Sequence, residues 1–441
     1  MEITRRSVVK GLTLGGLNLL LPGGLYAQNG PRRFSPNEKI RVACIGVGGR
    51  GRAAVDGVAG EELIAFCDVD DANAADTFKT YPNVPHFRNF REMFDKLADK
   101  IDAVTVSSPD HVHFLHATEA VKHGKHVYVE KPLCQTIAQT RELRDAAAKA
   151  GVKTQMGNQG HSMDGPRRLK EWVQSGLIGP LVAVDSWTDR PAGWWPQGRA
   201  AYPAGQPVPA TLDWDLWRNG VDVAYNADLA PFKWRGWTQF GTGALGDMAC
   251  HILDPFWFAF EPGLPDWIES EATGGSDVSY PENAVVRFHF PGRDGKPEYL
   301  LTFSSGKGIR PPAPRNLGPG INYQDNGTVF YGSRETVLAD SHASDIRFIP
   351  DIRAQELKSA LPPESLPRIK DQNHFGNWLD AIRGNVPEAS SRFEYSAGLA
   401  ELVLLGVIAQ RLPGKRLAYD GVAGKFTNDE TANRLISGVK I

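Results

Sequence analysis

Cysteine is scarce in this 441-residue sequence, and Cys44, Cys67, Cys134 and Cys250 stand far apart. That spacing gives neither a disulfide framework nor a zinc knuckle, and the first two fall in apolar, strand-like runs that suit buried free thiols. No metal is expected. Charge of one sign is missing too: 49 Lys and Arg against 51 Asp and Glu leave a formal charge of −2. Nucleic acid and anionic membranes therefore find no basic surface to bind. Internal repeats and low-complexity tracts are absent. The apolar run from Gly11 to Leu21 is too short for a stable bilayer span, so no membrane anchor is expected after processing. What remains is the composition of a soluble globular protein, 41% hydrophobic and 23% charged. Its length, at roughly 150 residues per domain, implies two or three structural units.

The N-terminus carries the three parts of an export signal: Arg5 and Arg6, the apolar run, and small residues ending near Ala27. "TRRSVVK" is similar to the twin-arginine export motif, with Val8-Val9 where Phe-Leu is commoner. The expectation is a signal over residues 1–30 and a periplasmic protein.

From 38 to 160 the pattern alternates short apolar runs, "IRVACIGV", "LIAFCDV", "IDAVTVSS", "HVYVEK" and "VKTQMG", with helical stretches at Arg50 to Val58, His113 to His123 and Gln139 to Ala150. Apolar strands alternating with helices predict a parallel sheet covered on both faces, with ligands at the strands' C-terminal ends. From 161 to 441 the style changes. A helix near Arg167 to Gln174 precedes alternating runs such as "AVVRFHF", where Val286, Phe288 and Phe290 share one face. The prediction is an α/β chain: a Rossmann dinucleotide-binding domain and an α+β domain with an open, largely antiparallel sheet. Helices near His374 to Arg383 and Tyr395 to Leu412 close the chain. Between Trp187 and Trp237 lies a loop-rich insertion holding seven of the eleven tryptophans.

Gly46-Val47-Gly48-Gly49-Arg50-Gly51 fits G-x-G-x-x-G after a strand and at a helix mouth, where free N–H groups and the helix dipole attract a pyrophosphate. Asp68, about twenty residues on, is placed to accept ribose hydroxyls and to repel a 2′-phosphate. Together they favour NAD. "SSPDHVHFLH", Ser107 to His116, follows another strand, so Ser108, Pro109 and His113 belong to the same ligand edge; a cofactor-lining or helix-capping role for them outweighs a metal. "VEKPL" puts Glu130 and Lys131 at the end of the fifth strand, where Glu130 is expected at the cofactor and a lysine can polarise a hydroxyl or carbonyl oxygen.

The glycine loop, Asp68, the Ser-Pro segment, Glu130-Lys131-Pro132 and "GDMACHILDPFWF" together resemble the glucose-fructose oxidoreductase/inositol dehydrogenase (Gfo/Idh/MocA) family. The resemblance covers nearly the whole chain after the signal. It implies that Lys131, Asp247 and His251 form the catalytic group, with His251 as the base, that Gln159 contacts cofactor and His161 substrate, and that subunits pair as a dimer or tetramer. Independently, residues four apart on a helix share a face, so Asp247 and His251 can meet one substrate. In the insertion, Trp194, Trp195 and Trp237 offer rings for the C–H faces of a sugar and Arg235 offers hydrogen bonds; packing of the loop is the competing reading for the same rings. A small carbohydrate or glycoside is the expected substrate. Free NAD is not supplied outside the cytoplasm, so an exported enzyme of this kind must carry its NAD with it and recycle it internally. Two chemistries stay open: oxidation of a sugar hydroxyl with a second substrate taking the hydride, or net glycoside hydrolysis through transient C3 oxidation, elimination and hydration.

Overall fold

The computed structural model describes residues 38–314 and 323–438, together with 32, 34, 35 and 317. The expected export segment, residues 1–30, lies outside them.

Six strands, β1 (Arg41–Ile45), β2 (Glu62–Cys67), β3 (His86–Phe87), β4 (Ala103–Val106), β5 (His126–Glu130) and β6 (Thr154–Gly157), form one sheet in the order 3-2-1-4-5-6. All its pairings are parallel. Every residue of β4 and β5 is buried, as a sheet covered on both faces requires. The cover comes from α1 (Arg50–Val58), α2 (Asp71–Thr80), α3 (Phe90–Leu97), α4 (Asp110–Lys122) and α5 (Ile137–Ala150). The strand order reverses between β1 and β4, and a doubly wound sheet opens its ligand crevice there. The pattern reading passed over α2, β3 and α3. α2 starts on a side-chain cap rather than an apolar stripe, since Asp70 accepts from the amides of Ala72 and Asn73.

The second unit contains α6 (Asp164–Gln174), β7 (Leu181–Thr188), α7 (Trp214–Arg218), α8 (Gly243–Ile252) and α9 (Asp254–Phe260). Strands β8 (Trp267–Thr273), β9 (Asn283–Phe290), β10 (Tyr299–Ser305), β11 (Asn326–Gly332), β12 (Thr336–Asp340) and β13 (Ile346–Ile349) follow. Then come α10 (Ile352–Glu356), α11 (His374–Arg383), α12 (Phe393–Ala409), β14 (Arg416–Asp420) and β15 (Lys425–Phe426). Its nine strands run in the order 13-12-11-7-10-9-8-14-15. Only β7 and β10 pair in parallel, so the sheet is largely antiparallel. In β9, Val286, Phe288 and Phe290 are buried and alternate with half-buried Arg287 and His289, the period-two pattern of a strand with one covered face.

The last helices return to the first unit. Arg141 on α5 holds Glu401 on α12 through two bonds of 2.7 and 2.5 Å, and α11 sets Phe375 and Trp378 into the core formed by Ile40, Val42 and Val58. All four cysteines are buried free thiols. Among the described residues, no helix is long and apolar enough to cross a membrane.

Candidate active site

The glycine loop lies between β1 and the first turn of α1. Gly46 and Gly49 have φ of +74° and +52°, a region that side chains rarely adopt. A Cβ on Gly51 would sit 1.9 Å from the Gly46 carbonyl oxygen, and one on Gly48 would sit 2.2 Å from Asn73 Nδ2. Glycine alone lets the loop close on both helices. A Cβ on Gly49 meets nothing within 4 Å, so this edge of the loop is open. Asp68 ends β2 and braces the loop: Oδ2 accepts from the amides of Val47 at 2.8 Å and Gly48 at 3.2 Å, and Oδ1 accepts from that of Asp70 at 3.0 Å. Burial pushes the Asp68 carboxyl up while these amides pull against it. A cleft runs past Gly48, Gly49, Arg50, Asp68, Ser108 and Pro109. An open glycine edge at a helix N-terminus with a carboxylate at the neighbouring strand end fits NAD, the pyrophosphate at the loop and the ribose at Asp68.

Glu130 and Gln159 do not line this cleft. Glu130 Oε1 accepts from Arg50 Nε at 3.0 Å and Gln159 Nε2 at 3.2 Å, and Gln159 Nε2 also donates to the Tyr128 hydroxyl at 2.8 Å. The expected cofactor contacts thus become a buried bracket that aims Arg50 into the cleft. His113 does not line the cleft either. It is 1% exposed and its Nε2 meets the Ser108 carbonyl oxygen at 2.6 Å. Because α4 begins at Asp110, its fourth residue turns inward, whereas His116 turns to the cleft and meets Ser108 Oγ at 2.9 Å.

Beyond the end of β5, Lys131 Nζ donates to Asp247 Oδ1 at 2.6 Å and to the Asp247 carbonyl at 2.8 Å. Asp247 also accepts from Arg190 Nη1 at 2.8 Å through Oδ2 and from Arg235 Nε at 3.1 Å through Oδ1. Burial alone would raise this carboxyl, but the charges of Lys131, Arg235 and Arg190 outweigh it and hold Asp247 ionised well below the usual carboxylate range. One turn along α8, His251 is held neutral: burial lowers its pKa well below 6.5, and the neighbouring His342 and Lys131 lower it further. Its Nδ1 is buried without a partner.

His342, on the β12–β13 loop, places its ring centroid 4.7 Å from that of His251. Sequence reasoning missed it because no motif surrounds it and more than ninety residues separate it from α8.

Other expected substrate contacts divide. Trp194 is 47% exposed, with the Arg190 guanidinium 3.8 Å from its ring centroid. Arg235 lies 4.4 Å from the rings of Phe232 and Trp234. Trp195 is buried behind both arginines and bonds Gln197 Oε1 at 2.8 Å. Trp237 is 1% exposed, donates to the Asp228 carbonyl at 2.8 Å and stacks on Tyr202; it packs the insertion and is withdrawn as a sugar contact. His161 is 1% exposed, its Nδ1 3.0 Å from Asp254, which also accepts from Asn158 and Tyr395. That network accounts for the His161 side chain as a strut between α9 and the β6 edge.

The insertion forms the far wall of the dinucleotide cleft through Leu216, Trp217, Asn219 and Trp234. It is fastened to the first unit by the Asp213 amide on the Val69 carbonyl at 2.8 Å and the Asp71 amide on the Thr211 carbonyl at 3.0 Å. Arg88 Nη2 on the Thr211 carbonyl at 3.3 Å and His111 Nε2 on the Trp217 carbonyl at 2.9 Å add to this. Leu212, Trp214, Trp217, Leu229 and Trp237 form its own core, packed against Val69.

The site thus joins a dinucleotide cradle in the first unit to a lysine, carboxylate and histidine group shared between the two units. Two family models match, an oxidoreductase family NAD-binding Rossmann fold over residues 40–158 and an oxidoreductase family C-terminal alpha/beta domain over residues 165–271. The chain belongs to this Gfo/Idh/MocA oxidoreductase family and binds NAD. It is 24% identical over half its length to the glucose-6-phosphate 3-dehydrogenase of Bacillus subtilis, covering 54% of that protein. It is 31% identical over 41% of its length to a glycosyl hydrolase family 109 protein of Solibacter usitatus, covering 44% of that protein. The chain thus spans about half the length of the curated relatives it matches. The WlbA dehydrogenase of Chromobacterium violaceum, solved with NADH and UDP-GlcNAcA, shares the fold at TM-score 0.61 and 17% identity, over 88% of this chain and 98% of that one.

Proposed function

We propose that this chain is an exported, periplasmic NAD-dependent oxidoreductase that acts on a sugar or glycoside hydroxyl and keeps its cofactor through the catalytic cycle. The observation that carries the reading is the meeting of Lys131 with Asp247, one turn before neutral His251 on α8. Bound NAD supplies hydride acceptance. The chain's own part is proton handling and orientation. Lys131, fixed by Asp247, donates to the substrate oxygen and stabilises charge developing there. His251, neutral at working pH, takes the hydroxyl proton as the carbon loses hydride. Asp247 keeps Lys131 aimed.

Retention of the cofactor is supported by the insertion. Release of a nucleotide past Trp217 and Leu216 requires the fastenings at Val69 and Thr211 to open, and an exported enzyme has no free NAD to exchange with.

A second reading, net glycoside hydrolysis by oxidation, elimination and hydration, is favoured by one observation: His342 gives the site a second imidazole beside His251, and elimination needs a second group to take the C2 proton. The family 109 relative points the same way.

The deciding experiment uses protein as purified, with no nucleotide added, and a panel of glycosides in D₂O. Absorbance at 340 nm that stops near one equivalent per chain and resumes when a carbonyl sugar is supplied supports the oxidoreductase. Free sugar carrying deuterium at C2 over many turnovers supports the hydrolase. Neither signal from any sugar rejects both.

A further inference from the structure

The charges around Asp247 do not balance. Lys131, Arg190 and Arg235 all bond this one carboxylate, and their side chains are only 15%, 21% and 16% exposed. Nearby Arg50 is already matched by Glu130 at 3.0 Å. His251 and His342 are both shifted toward the neutral form by burial. Close to them, Asp110 accepts from Thr242 Oγ1 at 2.7 Å, and burial raises its pKa to about 6. Counting Asp110 as ionised, three cations face two carboxylates; with it protonated, they face one.

A neutral sugar offers hydroxyls, which satisfy donors but leave this surplus positive charge uncompensated in a dry site. Arginine's planar fork matches a carboxylate or phosphate better than a hydroxyl. Both guanidinium groups lie over rings, that of Arg190 3.8 Å from the Trp194 centroid and that of Arg235 4.4 Å from the centroids of Phe232 and Trp234. Each guanidinium spends one nitrogen on Asp247, and among the described residues Nη2 of Arg190 and Nη2 of Arg235 have no hydrogen-bond partner. The exposed faces of Trp194 and Phe232 beside them, 47% and 43% accessible, suit the C–H face of a pyranose.

We infer that the substrate is an anionic sugar whose carboxylate or phosphate docks on Arg190 and Arg235 while its ring packs on Trp194 and Phe232. This rests on reading the site as a sugar-binding redox centre. Arg235 also touches the dinucleotide cleft, whereas Arg190 does not line it. Arg190 therefore separates substrate charge from cofactor charge.

The test is equilibrium binding to the holoenzyme as purified, followed by tryptophan fluorescence, with matched sets of epimers: methyl hexuronides, hexose 6-phosphates and methyl hexosides. At least one acidic set should bind tenfold or more tighter than its neutral counterpart, since a hydrogen-bonded charge pair is worth about that or more. Whether uronate or phosphate wins identifies the anion. In Arg190→Gln the ratio of acidic to neutral affinity should fall toward one with nucleotide content unchanged. Neutral sugars binding equally or better, no sugar of any set binding, or an Arg190→Gln protein that loses nucleotide but keeps the acidic preference would each overturn the inference. The redox reading fails separately: acidic sugars that bind selectively but never change the absorbance at 340 nm would leave the charge preference standing and remove hydride transfer.

Discussion

At the residue scale the site couples charge to proton transfer. Lys131→Met removes the ammonium that Asp247 holds, yet Asp247 keeps Arg190 and Arg235, so the fold around it persists. Hydride transfer should drop by about 10³-fold, the usual range for a lost acid–base group, with the purified protein still carrying nucleotide. Single-turnover absorbance and nucleotide content measure the two effects separately, and retained turnover would remove Lys131 from the chemistry. The pH profile follows from His251. A base works deprotonated, and because burial, His342 and Lys131 lower its pKa, against a smaller opposing effect of Asp247, the acid limb of kcat/KM should lie below 6.5. Removing a group that lowers a pKa raises it. His342→Asn should therefore shift that limb upward, and an unchanged limb would mean the two rings titrate independently.

At the element scale, the parallel sheet and the cradle were legible because local pattern determines them: apolar strands, a glycine loop at a helix mouth, an acid at the next strand end. The meeting of Lys131 with Asp247 was implied by the family resemblance, and helical spacing set Asp247 and His251 one turn apart on α8. The insertion was only half legible. Its rings suggested sugar contacts, but a tryptophan's burial depends on what the loop folds against, and Trp237 turned inward while Trp194 stayed out. Nothing local announced that residues 211–220 would close over the dinucleotide cleft, since those contacts join segments more than a hundred residues apart. His113 was misplaced for a smaller reason: the start of α4 at Asp110 sets which face each histidine takes. The strap makes its own prediction. Asp213 caps α7 by accepting from the Leu216 amide at 3.0 Å, and Asp213→Ala should weaken that turn by about 1 kcal/mol. Bound nucleotide, chased with excess labelled NAD, should then leave roughly fivefold faster if strap opening limits release. An unchanged rate would show that the strap does not gate the cofactor.

At the scale of the whole molecule, histidine burial couples folding to acidity. Burial lowers His111, His113 and His126 to about 4 and His116 and His374 to about 3. The unfolded chain protonates such rings near 6.5. Below that pH the unfolded state binds protons that the folded state refuses, so stability falls as pH falls. His251 and His342 are lowered as well, while Asp110, raised to about 6, and Asp68, Glu130 and Asp185, also raised by burial, act in the opposite direction. Each ring withholds about 1.4 kcal/mol per pH unit once its unfolded form is protonated, so a net of about three groups is comparable, within one to two units, to the lower part of the ~5–15 kcal/mol that holds an ordinary domain together. For this chain the acid side should therefore be the weak side. Calorimetry at pH 7.5, 6.5, 5.5 and 4.5 should show Tm nearly constant over the first step and falling steeply over the last two. A flat Tm down to pH 4.5 would mean that these rings take up protons inside the fold, and the neutral environment assigned to His251 would lose its support along with them.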